Sequence, residues 1–492
     1  MKIDLLRKPP EHMDTVVVMQ DEKGELKHVE FLPPEFIAAI SVIVKQDDFK
    51  FEANALKSFP IVLNGERSNV ILCGVGNSHE LNQDKLRNLF ALAFRAAFKL
   101  KAREIFLFPG FPNTIGEVNL GHILAETALL VEYKFEKYLS AEKQPALEAL
   151  HLALNLKNTR HINRGIMEGR ILAEATNLAR NLVNEPANVI YPETLAEAAK
   201  KAALQYGFSI EVHSLDKLKR IKMEAFLAVG KGSKHEPRLI VMSYHGNPDG
   251  KAKTIGLIGK GLTYDSGGYC IKTPQGMVNM KNDMAGAAAV IGTFAALATL
   301  KLKLNVVGVI AACENMVSGA AYRAGDIIRS MSGKTIEVIN TDAEGRLTLI
   351  DAIHYAITKE RVDKVIDIAT LTGAAVGALG NQISAVLTND DALLHKLKTA
   401  SDHCGEKIWQ LPAHEAYTEL LKSEVADLKN TGGPYAGAIT AGLFIREFVE
   451  NKPWLHIDIA GTALRDKESG IHPFGATGVG VRLLISLLKE LE

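Results

Sequence analysis

Cysteine is scarce in this sequence. Its four cysteines, Cys73, Cys270, Cys313 and Cys404, lie far apart and form no CxxC pair. That spacing excludes a disulfide framework and a cysteine-based zinc site, and it fits a reducing cytoplasm. An excess of one charge is lacking too. Lys and Arg number 57, as do Asp and Glu, so nothing favours a nucleic acid or an acidic membrane surface. The first 150 residues carry 18 basic side chains against 21 acidic ones, so that part is not basic either. The stretch MKIDLLRKPPEHMD has no apolar h-region, and no signal peptide is expected. The apolar run Met284 to Leu300, MAGAAAVIGTFAALATL, falls short of a membrane span. Rich in Ala, with two Gly, it predicts a buried helix that its neighbours approach closely.

Several site motifs are absent as well. GKGLTYDSGG has the wrong order for a phosphate loop, and GxGxxG does not occur. There is no HExxH, and the 15 histidines show no tight ligand spacing. His354, on an apolar helix, reads as structural.

What is present is an ordinary globular balance, 47% hydrophobic and 23% charged. At roughly 100–200 residues per domain, 492 residues suggest two or three domains. Strand-like segments at 16–19, 61–65, 70–76 and 104–110 alternate with helical patterns at 86–101 and 120–135. The pattern from Pro145 to Asn184 is helical with no strand signal. A second run of strands follows at 209–213, 238–244, 254–259, 303–312 and 364–371, with helices at 283–300, 347–358 and 435–450. The expected fold class is α/β. The expected division is an N-terminal α/β domain over 1–150, a linking helical segment over 151–184, and a larger domain over 185–492. No internal repeat or low-complexity tract is evident.

Residues 340–347 read NTDAEGRL. Asp342, Glu344 and Arg346 fall at alternate positions, so an extended or turning backbone sends them to one side. The ordinary reading is a helix start, where acidic groups favour the dipole. A second cluster, IGKGLTYDSGGYCIKTPQGMVNMKNDMAG at 258–286, follows an apolar strand. Ligand groups in doubly wound folds sit just past such strand ends. Lys260, Asp265, Lys272 and Asp283 are its charges of interest. Singly, Asp265 reads as a turn cap, Asp283 as a helix N-cap and Lys260 as a surface charge. Jointly, Asp265, Asp283, Asp342 and Glu344 offer four carboxylates that would repel one another without cations, which suits a two-metal site.

KGLTYDSGGYCIK, NDMAGAAAV and NTDAEGRL together resemble the leucyl aminopeptidase (cytosol aminopeptidase) family. The resemblance continues through CENMVSGAAYRAGDIIRSMSGK, ATLTGA, ADLKNTGG, AGAITAGLFI, WLHIDIAGTA and GATGVGVRLL, and covers about residues 165–492. The earlier part is similar only in size and alternation. The resemblance implies a small N-terminal α/β domain and a larger catalytic α/β domain with a mixed central sheet flanked by helices, assembled as a homohexamer. It implies release of N-terminal residues from peptides, Leu and other apolar ones preferred, in the cytoplasm. Two divalent cations, Zn or Mn or else Mg, are implied on Lys260, Asp265, Asp283, Asp342 and Glu344, with Asp265 and Glu344 bridging. Lys272 is implied to polarise the scissile carbonyl. Arg346, with Gly345 and Leu371, is implied to hold a bicarbonate that serves as general base toward a metal-bridging water. Met280, Asn340, Thr370 and Gly373 correspond to the substrate pocket.

The chain departs from the family pattern at TYDSGG for TFDSGG, NDMAG for ADMGG and RAGD for RPGD. MVNMKND is more polar than usual, and Asn279 beside Met280 bears on pocket shape. Some bacterial members also bind DNA as hexamers, but the acidic balance of the first 150 residues argues against that role here. A dead paralogue would lack a ligand or the Lys272–Arg346 pair, and all seven positions are kept.

Overall fold

The computed structural model describes residues 1–23, 25–26, 29, 31–63, 65–140, 146–249 and 253–492. Asn64, within the strand expected at 61–65, and Pro145, where the helical run was expected to begin, lie outside them. The chain divides into two compact units. One comprises residues 1–174 with 468–473, the other 175–467 with 474–492.

The first unit is built on six strands: β1 (Lys2–Leu6), β2 (Thr15–Asp21), β3 (Leu56–Leu63), β4 (Glu66–Gly76), β5 (Glu104–Gly110) and β6 (Ala149–Ala153). They are ordered β1-β6-β5-β2-β4-β3. All neighbours are parallel except the edge pair β3 and β4. Val17, Met19, Ile71 and Leu107 face a core shared with helices Gln83–Lys99 and Glu117–Glu132. Val16, Val18, Leu72 and Phe108 face the opposite core, with Phe36 and Ile40 of helix Pro34–Gln46. Both faces of β2, β4 and β5 are covered, so these three read as apolar runs.

One expectation is corrected here. ALHLA is strand β6, not helix, and the linking helix runs only from Arg160 to Asn184. Ala and Leu favour helix, but β6 is hydrogen-bonded between β1 and β5. Its Leu150 and Leu152 are buried, and His151 stacks on Phe106. Tertiary pairing overrides the local propensity.

The second unit holds an eight-stranded mixed sheet. Its strands are β7 (Ser209–His213), β8 (Arg238–His245), β9 (Thr254–Asp265), β10 (Asn305–Asn315), β13 (Lys364–Ala369), β14 (Ile383–Thr388), β15 (Lys407–Gln410) and β17 (Trp454–Asp458). The order is β15-β14-β17-β13-β9-β10-β8-β7. Small sheets add β11 (Ile327–Arg329), β12 (Thr335–Glu337) and β16 (Leu428–Lys429), and β18 (Leu464–Arg465) with β19 (Gly475–Ala476). The four central strands, β17, β13, β9 and β10, run parallel. Their carboxyl ends therefore lie along one edge.

Two buried helices frame that edge. Helix Ala285–Leu300 is the apolar run singled out in the sequence. The segment Pro274–Leu300 passes a length-and-hydropathy test for a span, yet 89% of its most apolar window is buried inside the protein. A Cβ on Gly286 would meet the Ile368 carbonyl at 2.1 Å, and one on Gly292 the Ala175 carbonyl at 2.8 Å. The glycines let this helix approach closely, as its composition predicts. Helix Gly345–Thr358 is packed through Leu347, Ile350 and Ile353. Its Asp351 accepts from the Met331 and Phe226 amides at 2.7 and 3.0 Å.

Gly286→Ala tests the close approach. Alanine gains about 1 kcal/mol of helix propensity, while overpacking against backbone costs about 1–3 kcal/mol or more. Denaturant unfolding is expected to show a net loss of stability. A more stable variant would contradict the packing.

Candidate metal centre

Lys260 stands within β9, and Asp265 is that strand's last residue. Asn315, the last residue of β10, pairs in register with Asp265. Asp283 follows the 3-10 turn Met280–Asn282. Asp342 and Glu344 lie on the loop that precedes helix Gly345–Thr358.

Lys260 is 3% exposed, which rules out a surface charge. Its Nζ donates to Asp283 Oδ1 at 2.7 Å and to the Thr370 carbonyl at 2.9 Å, and lies 3.0 Å from Glu344 Oε1. Lys272 Nζ lies 2.8 Å from Asp265 Oδ2 and 2.6 Å from Asp342 Oδ1. Carboxylate oxygens of Asp265, Asp342 and Glu344 fall within 4.8 Å of one another. The Thr370 hydroxyl donates to Asp283 Oδ1 at 2.8 Å. Seven residues singled out in the sequence thus share one largely buried network.

The ordinary readings hold only in part. Asp265 Oδ1 does cap a turn, accepting from the Gly267 amide at 2.8 Å. Asp283 is not the N-cap of the Ala-rich helix; Met284 is. Glu344 occupies the N-cap of helix Gly345–Thr358 with helical φ and ψ of −78° and −37°, yet its side chain makes no capping bond. Its carboxylate is turned to Lys260 instead. The three charges of NTDAEGRL are therefore arranged by a turn and a first helical residue, not by an extended strand.

Crowding of like charges shifts the acids. Burial, with Glu344 and Asp265 nearby, pushes the Asp283 carboxyl up to about 8 against the pull of Lys260. Burial and Glu344 push Asp265 up to about 6, opposed by Lys272 and Lys260. Asp342 is raised by burial and by Glu344. Glu344 alone falls below its ordinary range, because Lys260 and Lys272 outweigh its burial. Lys260 is held well above the ordinary lysine value: burial opposes its charge, but Asp283, Glu344 and Asp265 outweigh it.

Divalent cations fit these residues. Asp283 Oδ2 and Glu344 Oε2 are buried and have no hydrogen-bond partner. Such oxygens are costly unless paired. A donor set of four carboxylates and one amine suits Zn, Mn or Mg. Gly345 contributes by its size, since a Cβ there would lie 2.3 Å from Lys260 Cε.

Arg346 is buried, and its NH1 donates to the Asn430 carbonyl at 2.8 Å. Its Nε is buried without a partner. Burial lowers its guanidinium to about 10, with Glu344 and Asp458 opposing, so it stays charged at neutral pH. The Asn340 side chain accepts from the Asp342 amide at 2.8 Å. The Leu371 amide donates to Asp458 at 3.1 Å. Met280 is half-buried in its turn, and Gly373 is exposed at the start of helix Gly373–Leu379. The hydroxyl of Tyr264, the residue that replaces the commoner Phe, reaches the Met277 carbonyl at 3.4 Å.

Sequence reasoning missed the residues that hold these groups. Asn315 Nδ2 donates to Asp265 Oδ1 at 2.8 Å and to the Thr341 carbonyl at 2.9 Å. The Asn430 side chain accepts from the Ile339 amide at 2.8 Å and donates to the Asn340 carbonyl at 2.7 Å. Asp458 takes the Thr372 hydroxyl at 2.7 Å. A buried acid or amide at a strand end, as in HIDIAG or CEN, was the available signal.

Comparison with known proteins bears on this geometry. Residues 177–485 match the model of the cytosol aminopeptidase family's catalytic domain, and residues 16–142 that of its N-terminal domain. The chain belongs to the cytosol aminopeptidase family. The N-terminal match extends the likeness well beyond the 165–492 legible from motifs. A probable cytosol aminopeptidase of Clostridium perfringens is 49% identical over 454 residues, 92% of each chain. One of Clostridium tetani is 48% identical over 424 residues, 86% of this chain and 88% of that one. Among solved structures, the bottromycin maturation enzyme BotP in complex with Mn superposes with a TM-score of 0.86. It is 32% identical, over 98% of this chain and all of that one. Family membership makes the chain a metal-dependent aminopeptidase, a hydrolase acting on peptides.

The shifted acids give a signed pH dependence. In the unfolded chain Asp265 and Asp283 titrate near 3.8; in the folded, metal-free protein they hold their protons to about 6 and about 8. Their stabilising contribution is complete below the lower value and is lost as pH rises through the upper ones. Glu344, shifted the other way, matters only near and below 4.5. Chelator-treated protein should therefore melt at progressively lower temperature from about pH 5 to about pH 8. Added manganese should raise the melting temperature by an amount that grows over the same range. A gain that shrinks with pH would contradict this account.

Proposed function

We propose that this chain is a leucyl aminopeptidase that releases N-terminal residues, Leu and other apolar ones preferred, using two divalent cations held by Lys260, Asp265, Asp283, Asp342 and Glu344. The carrying observation is the buried cluster, with two carboxylate oxygens left unpaired. Asp265 and Glu344, which with Asp342 bring carboxylate oxygens within 4.8 Å of one another, would be shared ligands of the pair. Zinc or manganese is favoured, with magnesium as the alternative. Such a pair supplies positive charge for a carbonyl oxygen and lowers the pKa of water to about 7.

The chain's own groups do the rest. Lys260 would have to be neutral to act as a ligand; cations beside Asp283 and Glu344 in place of its ammonium would favour loss of its proton to solvent. Lys272, 18% exposed at its side chain, is the one ammonium of the network that faces a bound peptide. Freed from Asp265 and Asp342, it donates to the carbonyl oxygen as negative charge builds there. Arg346, whose Nε lacks a partner, would hold a bicarbonate with help from Gly345 and Leu371, and that anion would supply the general base. Met280, Asn340, Thr370 and Gly373 line the side-chain pocket. An α-amine must arrive uncharged, because an ammonium would meet the cations. That requirement favours free N-termini and an alkaline optimum. A homohexamer acting in the cytoplasm completes the reading: relatives named probable cytosol aminopeptidases support the compartment, and the hexamer rests on the family resemblance alone.

Chelation followed by manganese, zinc or no metal tests the chemistry on leucine amide at alkaline pH. Activity is expected only with metal, and none on N-acetyl-leucine amide. Cleavage of the acetylated substrate, or turnover without metal, would refute the reading. Lys272→Ala should lower kcat about 10²- to 10³-fold with metal content unchanged. A rate profile that peaks below pH 7 would remove the neutral-amine requirement.

A further inference from the structure

We infer that Thr341 is a positioning residue for Lys272: its buried hydroxyl clasps the lysine's loop onto the metal-ligand loop. The inference rests on the catalytic role proposed for Lys272.

Lys272 ends a tight loop that starts at Ser266, and the Lys272 amide donates to the Ser266 carbonyl at 3.0 Å. Gly267 and Gly268 carry φ of 85° and 62°, the left-handed region. A Cβ on Gly267 would meet Asp342 Oδ1 at 2.8 Å, and one on Gly268 would meet Thr341 Oγ1 at 3.0 Å. The two glycines thus bring the loop's backbone hard against residues 341 and 342. A loop this rich in glycine has little intrinsic preference for one conformation. Something outside it must select the form that aims Lys272 at the carboxylates.

Thr341 meets that need. Its hydroxyl donates to the Gly267 carbonyl at 2.7 Å and accepts from the Cys270 amide at 2.8 Å. One side chain therefore closes both ends of the turn. Thr341 is fully buried, so water does not substitute for either bond. It is also fixed from behind. Its carbonyl accepts from Asn315 Nδ2 at 2.9 Å and from the Tyr322 hydroxyl at 2.8 Å. The same Asn315 holds Asp265. Thr341 is thereby locked in the frame of the carboxylates and transmits that frame to the lysine loop. The Tyr269 hydroxyl adds an outer brace on the Ser318 carbonyl at 2.9 Å. No hydrogen bond from the Thr341 hydroxyl goes to a metal-binding carboxylate. Its loss should misplace Lys272 while leaving cation binding intact.

The test compares Thr341→Val, which keeps the shape and removes both bonds, with Thr341→Ser, which keeps the hydroxyl. On leucine amide with manganese-loaded protein, Thr341→Val should lower kcat about 10- to 100-fold, the scale of a roughly 1 Å misplacement. KM and manganese content should stay near those of the unaltered chain. Thr341→Ser should keep kcat within about threefold. If the valine variant does not fold, Thr341→Ala replaces it. The decisive step is the pairing with Lys272→Ala. Removing the Thr341 hydroxyl should have no further effect in that background, because the two act as a unit. An additive loss, lost manganese, or a serine variant as impaired as the valine one would overturn the assignment. If Lys272→Ala itself keeps full turnover, the role of Lys272 fails. A valine variant with normal kcat beside a dead Lys272→Ala defeats only the Thr341 inference.

Discussion

Four carboxylates and two lysines share one buried space at the ends of the central parallel strands. Their charges govern how that space is built. Acids brought this close cannot all ionise without positive charge among them. In the metal-free chain Lys260 supplies it from the sheet side and Lys272 from the open side. Divalent cations fit the same space, where Asp283 Oδ2 and Glu344 Oε2 have no hydrogen-bond partner.

Most other features of the second unit follow from getting those groups into register. Parallel β9 and β10 bring Asp265 and Asn315 side by side, and β13, in register with the earlier part of β9, sets Thr370 where its carbonyl accepts from Lys260. Gly286 allows the Ala-rich helix to sit on the sheet with Asp283 just before its first turn. Gly345 leaves the volume that the Lys260 stem fills. The loops that carry Asp342 and Lys272 are tied back by neutral groups, Asn315, Thr341 and Asn430, while Asp458 holds the loop at Leu371 and Thr372. Neutral amides and hydroxyls can fix geometry without adding to an already crowded field. The result is a site whose polar groups are set before substrate arrives, which is where electrostatic catalysis draws most of its effect.

The acids and lysines of the centre were legible because charged residues are conspicuous beside strand ends, and because NTDAEGRL and KGLTYDSGG carry a family likeness. The buried character of MAGAAAVIGTFAALATL was legible from its small residues. The strand at ALHLA was not, since Ala and Leu favour helix and only pairing between β1 and β5 makes it extended. The supporting residues were not legible either. Thr341, Asn315 and Asn430 are common types, and their importance lies in partners 19 to 91 positions away.

The sequence by itself determined the α/β class and the residue types available to cations. Periodicity and composition are local properties and can be read along a line. Only the tertiary structure decided that Glu344 turns away from its own helix to face Lys260, that Gly345 serves the lysine, and that Thr341 joins two loops. Those outcomes depend on distances between segments far apart in the chain. Packing sets such distances, and burial makes them matter by stripping the water that would otherwise satisfy each charge.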